Sequence, residues 1–243
     1  MACKVMGIIN VTPDSFSDGG KYFTVEEAAR RARNMVSEGA DIIDIGAEST
    51  RPGAVPVEWG EEWERLGPVL NSIKGIGAVV SVDTYHPETA LRALEAGVGM
   101  IKWVYEQPAF EMLKLCRRFG AEIVLPAKAA ADAAAKHSLS EVPFYIDPMI
   151  GFGTTREEDI GLLRSIRSLS ALGRVLVGAS RKRLVKKLSG EKVTGKNLGG
   201  NLALSVWCAM NGASVVRVHD VKETVQALKV VEALGVDDGV CRN

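Results

Sequence analysis

Eight short runs rich in valine and isoleucine recur along the chain, and amphipathic stretches separate them. Each run is apolar almost throughout, which is typical of parallel strands covered on both faces. The predicted strands are KVMGIIN (4–10), DIIDIGA (41–47), AVVSVDT (78–84), GMIKWV (99–104), EIVLPA (122–127), FYIDPMIG (144–151), RVLVGAS (174–180) and SVVRVHD (214–220). Two of the stretches between them open with a threonine three residues before a glutamate, Thr24 with Glu27 and Thr155 with Glu158, which is typical of a helix N-terminus. Eight strands alternating with helices predict an α/β protein with a (β/α)8 TIM barrel.

A doubly wound open sheet is the alternative fold for such an alternation. It requires a glycine-rich turn after the first strand, and the segment GIINVTPDSFSDGG does not match that pattern. No linker or low-complexity tract interrupts the chain, so we expect a single domain over residues 1–243. Residues 126–143 leave only a short connection between the fifth and sixth strands, which predicts a shortened unit there.

Composition argues against several classes of partner. Thirty basic and thirty acidic side chains leave no net charge, which is unlike a protein that binds nucleic acid or a membrane surface. The four cysteines are scattered without CxxC spacing, so neither a zinc knuckle nor a disulfide framework is indicated. The sequence shows neither a signal peptide nor an apolar run long enough to span a bilayer, and we therefore expect a cytoplasmic location.

Polar and charged residues follow the predicted strands at the end where barrel enzymes hold their active sites. Helix capping or a surface ion pair explains any one of these residues equally well, but not their presence at nearly every strand end. The set is Asn10, Asp14, Ser15, Asp44, Glu48, Ser49, Thr50, Arg51, Asp83, Lys102, Asp147, Ser180, Arg181, Lys182, Arg217, His219 and Asp220.

The residue types in this set favour anion binding. No Ser-His-Asp or Cys-His pairing is evident, and three histidines cannot build a His-rich metal site. The groups that suit an anion are Arg217, His219, Thr50 and Arg51. Asn10 offers an oxygen ligand to Mg²⁺, and Asp83 and Asp147 can accept hydrogen bonds from a heterocycle, with Lys182 as a further donor. The pattern predicts a phosphate-ester or diphosphate substrate that carries a nitrogenous ring.

Six motifs closely resemble those of dihydropteroate synthase, in that family's order and one per expected strand end. They are NVTPDSFSDGG (10–20), DIIDIGAESTRPG (41–53), SVDT (81–84), DPMIGFG (147–153), GASRKR (178–183) and RVHDV (217–221). The first two are long and distinctive. The resemblance implies a (β/α)8 barrel that condenses 6-hydroxymethyl-dihydropterin diphosphate with 4-aminobenzoate and releases pyrophosphate, in folate biosynthesis. In the family the diphosphate leaves first, and the arylamine then captures a pterin-methyl cation.

The resemblance also implies roles for individual residues. Asn10 would hold Mg²⁺ on the diphosphate, and the catalytic set would be Asn10, Asp83, Lys182, Arg217 and His219. The diphosphate oxygens would be bound by Arg217, His219 and Thr50, and the pterin by Asp83, Asp147 and Lys182. The aminobenzoate would contact Phe152, Ser180 and Lys182. The closing loops would contain Asp14, Ser15, Phe16 and Ser17, with Thr50, Arg51 and Pro52. A homodimer is expected from the family.

Three departures from the family lie on the pterin side. The fourth strand ends in Lys102 and Trp103, where the family has an NDV-type ending whose Asn contacts the pterin. The segment PAKAAADAAAKHS stands in place of a His-Met type of sequence after the fifth strand. Met149 and Thr154 stand where the family prefers Gly and Lys.

Lys102 is therefore a predicted substrate-binding residue whose effect is open. If the third, fourth and sixth strands lie close together, its ammonium is expected to reach between Asp83 and Asp147. Trp103 would then face outward and pack beneath the helices. The chain is an active synthase with a modified pterin pocket, a paralogue that applies the same chemistry to another diphosphate electrophile, or a non-catalytic protein that binds a pterin or an anion. The retained diphosphate and closing-loop motifs favour the first.

Overall fold

The architecture is a closed barrel of eight parallel strands in sequence order, with β1 paired to both β2 and β8. The computed structural model describes residues 3–12, 24–48, 55–103, 105, 110–135, 141–193 and 195–235. The strands are β1 Lys4–Asn10, β2 Ile42–Gly46, β3 Val79–Asp83, β4 Met100–Lys102, β5 Glu122–Pro126, β6 Phe144–Asp147, β7 Arg174–Val177 and β8 Val215–Val218. All eight lie within the predicted runs, and the predicted (β/α)8 barrel is confirmed.

Helices surround the barrel. They are α1 Val25–Ser37, α2 Trp59–Ser72, α3 Pro87–Glu95, α4 Phe110–Phe119, α5 Ala127–Ala135, α6 Arg156–Arg164, α7 Ile166–Ser170, α8 Arg183–Ser189, α9 Leu198–Met210 and α10 Val221–Ala233. Both predicted capping boxes form: the hydroxyls of Thr24 and Thr155 accept the N–H groups of Glu27 and Glu158, each at 3.2 Å. None of the helices in the described ranges is long and apolar enough to cross a membrane.

The shortened unit after β5 belongs to a run of three short units. Strands β3, β4, β5 and β6 begin at residues 79, 100, 122 and 144. Helix α5 starts at the residue that follows β5, without an intervening loop. Its buried alanines, Ala129, Ala130 and Ala133, have the spacing of one helix face, and their small side chains allow the helix to pack closely.

Alternation along the strands separates an inner core from an outer one. The barrel interior is filled by Met6, Ile42, Met100, Val124, Tyr145, Leu176 and Val215. Ile101, one residue after Met100, belongs to the cluster between the strands and the helices. By the same alternation Lys102 points into the barrel, and Trp103 packs against the outer cluster, as the sequence predicts.

Candidate active site

Four charged side chains form an ion-pair network at the carboxyl end of the barrel. Asp83 on β3 is paired in register with Lys102 on β4, which places both side chains at the same level. Lys102 Nζ donates to Asp83 Oδ2 at 3.1 Å. From the opposite side, Arg217 on β8 donates through Nε to Asp44 Oδ2 at 2.6 Å and through Nη2 to Asp83 Oδ2 at 3.3 Å. The structure therefore brings together Asp83, Lys102 and Arg217, to which the sequence gives roles in the site. It joins to them Asp44, which the sequence names among the strand-end residues without a role.

Burial makes these charges depend on one another. Burial by itself would raise the pKa of Asp44, but the charges of Arg217 and Lys102 outweigh it and hold that pKa below its usual value. Burial likewise opposes the charge on Arg217, whereas Asp44 and Asp83 raise its pKa. Ser81 completes the arrangement by donating its hydroxyl to Asp44 Oδ1 at 2.6 Å. Asp44 and Arg217 thus each favour the charged form of the other.

The expectation that Lys102 reaches between Asp83 and Asp147 is only half met. Across the part of the chain that the structure describes, no hydrogen bond or ion pair joins Lys102 to Asp147. Asp147 Oδ1 instead accepts the backbone N–H of Met149 at 2.7 Å, and Met149 adopts a positive φ of 63°. The turn after β6 thus supplies Asp147 with a backbone donor, and the lysine whose pKa Asp147 raises is Lys182.

Lys182 lies over the loop between β6 and α6. Its ammonium is 4.3 Å from the ring centroid of Phe152 and donates to the carbonyl oxygen of Ile150. Burial lowers the pKa of Lys182 to about 8, with Asp147 acting in the opposite direction and Lys102 adding to the fall. Lys182 and Phe152, both assigned to the site from sequence, are therefore in direct contact.

Ser180 and His219 form a second polar pair beside the network. Ser180 Oγ and His219 Nδ1 lie 3.1 Å apart, within hydrogen-bond distance. The Arg31 guanidinium on α1 donates to the His219 carbonyl at 3.0 Å. Next along the chain, Arg181 donates to Asp220 at 2.5 Å, so these two strand-end residues serve as a structural ion pair.

Asn10 is the residue assigned to Mg²⁺. It ends β1, is half-buried, and its side chain makes no hydrogen bond to any described residue. Among the described ranges there is no group of three or more His, Cys, Asp or Glu side chains that could hold a metal ion. Mg²⁺ is commonly held by one or two protein oxygens together with substrate phosphates and water. A single available amide oxygen fits such a substrate-borne ion and not a resident metal cage.

The remaining predicted site residues lie outside the described ranges. These are Asp14, Ser15, Phe16 and Ser17, and Thr50, Arg51 and Pro52.

Two features of this region were missed by the assignment from sequence. The role of Asp44 had a signal, because a charge within an apolar strand needs a buried partner. The second feature is Glu62 on α2, which is fully buried and accepts the hydroxyl of Thr84 at 2.8 Å. Burial raises the pKa of Glu62, and its second oxygen has no hydrogen-bond partner among the described residues. The sequence predicts a core-facing side of this helix from Trp59, Trp63 and Leu66, but it did not single out Glu62 as part of that side.

Comparison with known proteins identifies relatives along nearly the whole chain. The family model described as pterin binding enzyme matches residues 6–141 and 127–219. The dihydropteroate synthase of Streptococcus pyogenes serotype M6 is 37% identical over 259 residues, covering 95% of each chain. The structure of the Thermus thermophilus dihydropteroate synthase in complex with 4-aminobenzoate is 39% identical, with a TM-score of 0.85 over 96% of this chain and 95% of that one. The Xanthomonas albilineans enzyme in complex with 7,8-dihydropteroate is 34% identical, with a TM-score of 0.86 over 97% and 95%.

Proposed function

Because the chain belongs to the dihydropteroate synthase family, we propose that it condenses 6-hydroxymethyl-dihydropterin diphosphate with 4-aminobenzoate in folate biosynthesis. The reaction is a transfer. The bond between the pterin methylene carbon and the diphosphate oxygen breaks, and its electron pair leaves with pyrophosphate. The arylamine nitrogen then bonds to that carbon and loses a proton.

One observation carries the proposal. Side chains that can accept hydrogen bonds from a ring, side chains that can donate to an anion and an aromatic side chain all lie at the carboxyl end of the barrel. Asp83 and Asp147 keep carboxylate oxygens that accept no hydrogen bond from any described residue. Arg217 uses part of its guanidinium on Asp44 and Asp83, which leaves N–H groups for a ligand. Lys182, at the start of α8, lies against Phe152 on the loop between β6 and α6. These are the groups that a ring, a diphosphate and an arylamine each require.

On the leaving-group side, positive charge stabilises the departing diphosphate. Arg217 is fixed in orientation by two carboxylates, so its remaining N–H groups are preorganised for an anion. His219 and Ser180 line the adjacent strand ends. We assign His219 and Thr50 to the diphosphate oxygens together with Arg217.

On the acceptor side, the aminobenzoate is assigned to Phe152, Ser180 and Lys182. Stacking on Phe152 orients the aryl ring, and the Lys182 ammonium attracts the carboxylate. The closing loops are assigned to Asp14, Ser15, Phe16 and Ser17, with Thr50, Arg51 and Pro52. Their closure would keep water away from the cationic carbon before the arylamine captures it.

Mg²⁺ is the proposed cofactor, and Asn10 is the residue that would hold it. When bound, the ion neutralises developing charge on the leaving group. Asn10 contributes its amide oxygen, and its lack of a protein partner among the described residues leaves that oxygen available.

The proposal also covers the domain organisation, the cellular location and the partners of the enzyme. We assign residues 1–243 to one domain in a cytoplasmic protein whose partners are its two small substrates and a second copy of the chain. The homodimer is supported by apolar side chains exposed on the outer helices, among them Trp207 and Met210 on α9 and Val230 on α10.

The test is release of pyrophosphate from 6-hydroxymethyl-dihydropterin diphosphate and 4-aminobenzoate in the presence of Mg²⁺. We expect turnover that is abolished by EDTA and lowered about 100-fold or more by Lys182→Met. Lys114→Met, on an exposed lysine of α4, is the matched control and is expected to retain wild-type turnover. Absence of turnover with wild-type protein at millimolar substrates would overturn the proposal.

A further inference from the structure

We propose that Asp159 is a positioning residue for the aminobenzoate side of the site, because from α6 it holds the loop between β6 and α6 against Lys182. Asp159 itself belongs to none of the groups assigned to substrates or metal. The inference rests on the proposed function for the identity of the ligand. The contact between the loop and Lys182, which Asp159 is proposed to maintain, is a property of the protein alone.

Asp159 is a buried carboxylate whose hydrogen bonds go to this loop. The residue is only 2% exposed, and burial of a carboxylate is costly unless donors surround it. Its Oδ1 atom accepts the backbone N–H of Gly151 at 2.7 Å and the hydroxyl of Thr154 at 2.5 Å. Phe152 lies between these two donors along the chain. A single oxygen therefore ties the loop to α6 on both sides of Phe152.

The backbone of the loop is irregular and needs partners from outside. Met149, Gly151 and Gly153 adopt positive φ values of 63°, 77° and 72°, which no helix or strand accommodates. A non-glycine residue at positive φ is strained and persists only where its surroundings fix it. Asp147 holds the first part of the loop through the N–H of Met149 at 2.7 Å. Asp159 holds the part that follows.

The same part of the loop supplies two contacts of the Lys182 ammonium. The ammonium donates to the carbonyl oxygen of Ile150 and lies 4.3 Å from the ring centroid of Phe152. Gly151, which donates to Asp159, stands between these two residues in the chain. Asp159 also raises the pKa of Lys182, in the same direction as Asp147 and against the effect of burial. Loss of the hydrogen bonds to Asp159 would therefore release both loop contacts of Lys182.

The first test needs no substrate. In protein carrying lysine labelled with ¹³C at Cε, the Lys182 methylene signal is the one lost in Lys182→Met. The Phe152 ring displaces the proton resonance of that methylene, and Phe152→Leu gives its position without the ring. We expect Asp159→Leu to move the resonance toward that position. Asp159→Asn should keep the wild-type position, because its amide oxygen can still accept both hydrogen bonds.

The second test is the KM for 4-aminobenzoate, which we expect to rise about tenfold or more in Asp159→Leu and to stay within about twofold in Asp159→Asn. A smaller folded fraction does not change KM, so destabilisation alone does not produce the rise. Both tests are made at about pH 6, where Lys182, with a pKa of about 8, carries its charge. Glu157→Leu is the matched control on the same helix, because the Glu157 side chain is 75% exposed. It is expected to keep the wild-type resonance and KM.

If Asp159→Leu does not fold, Thr154→Val decides, because it removes one donor and leaves the carboxylate in place. We expect it to move the resonance in the same direction by a smaller amount. An unchanged resonance or KM in folded Asp159→Leu, or equal shifts in Asp159→Leu and Asp159→Asn, would overturn the inference, as would an unchanged resonance in Thr154→Val where it decides. Turnover with an unchanged resonance defeats only the role of Asp159. A shifted resonance without turnover by the wild type defeats only the proposed synthase activity.

Discussion

Lys182 carries its charge where burial makes that charge costly. Its pKa falls to about 8, so the ammonium is present below that pH and is lost above it. Asp147 favours the charged form, whereas Lys102 and Arg217 disfavour it. The residue therefore titrates in a range where the enzyme can be assayed.

We predict that the KM for 4-aminobenzoate rises as the pH increases through about 8. The deprotonated Lys182 no longer attracts the substrate carboxylate, which stays ionised over this range. Lys182→Arg keeps its charge throughout, so its KM should be flat between about pH 7 and 9. Steady-state kinetics of both proteins make the comparison, and an equal rise in Lys182→Arg would show that another group titrates.

Asp44 and Lys102 belong to a chain of ion pairs in which each side chain helps to fix the position of the next. Asp44 orients Arg217 at 2.6 Å, and Arg217 shares Asp83 with Lys102. Removing one partner from a buried pair leaves an uncompensated charge. In the proposed function, recognition of the ring by Asp83 and of the diphosphate by Arg217 would be coupled, because Lys102 and Arg217 both contact Asp83.

At the level of elements, the loop between β6 and α6 positions Lys182. Gly151 has a positive φ of 77°, and a Cβ placed there would lie 3.0 Å from Lys182 Cδ. Gly153 also has a positive φ, of 72°, but a Cβ at that position would meet nothing within 4 Å. Both glycines therefore adopt a positive φ, but only Gly151 lies against Lys182.

Gly151→Ala and Gly153→Ala should therefore separate stability from binding. Each is expected to lower the free energy of unfolding by about 1 kcal/mol, because alanine is strained at positive φ. Only Gly151→Ala should also weaken 4-aminobenzoate binding, since it displaces Lys182. Urea unfolding and calorimetric titration measure the two effects. Equal binding by both variants would show that the loop does not control the position of Lys182.

The elements also show what patterns along the chain can and cannot predict. Apolar runs and capping boxes are local, so the eight strands and the helix starts at Val25 and Arg156 were predictable. The partners of Lys102 were not, because they depend on how the turn after β6 satisfies Asp147 through Met149. The buried position of Glu62 depends on packing between helix and barrel, which its helical pattern does not reveal.

At the scale of the whole molecule, six charged side chains in and beside the ion-pair network balance one another. The acids are Asp44, Asp83 and Asp147, and the bases are Lys102, Lys182 and Arg217. A diphosphate adds several negative charges to this neutral array. The described residues therefore do not neutralise the leaving group by themselves, which is the electrostatic reason for including Mg²⁺ in the proposed function.

The outer surface carries apolar side chains that suit a second copy of the chain. Trp207 and Met210 are three residues apart on one face of α9, and they are 49% and 43% exposed. Val230, on the adjacent α10, is 60% exposed. Apolar and aromatic residues of this kind are enriched at the centres of homodimer interfaces.

We predict that the wild-type protein sediments as a dimer and that Trp207→Glu sediments as a monomer, since a buried unpaired carboxylate opposes association. Val55→Glu is the control, because Val55 is 82% exposed ahead of α2, a helix that packs against α1 and α3. That variant should remain dimeric. Sedimentation velocity at several protein concentrations measures the oligomeric state of each protein. Pyrophosphate release by the Trp207→Glu monomer would show whether a single barrel is active without its partner. A monomeric wild-type protein, or a dimer unaffected by Trp207→Glu, would exclude this face as the dimer interface.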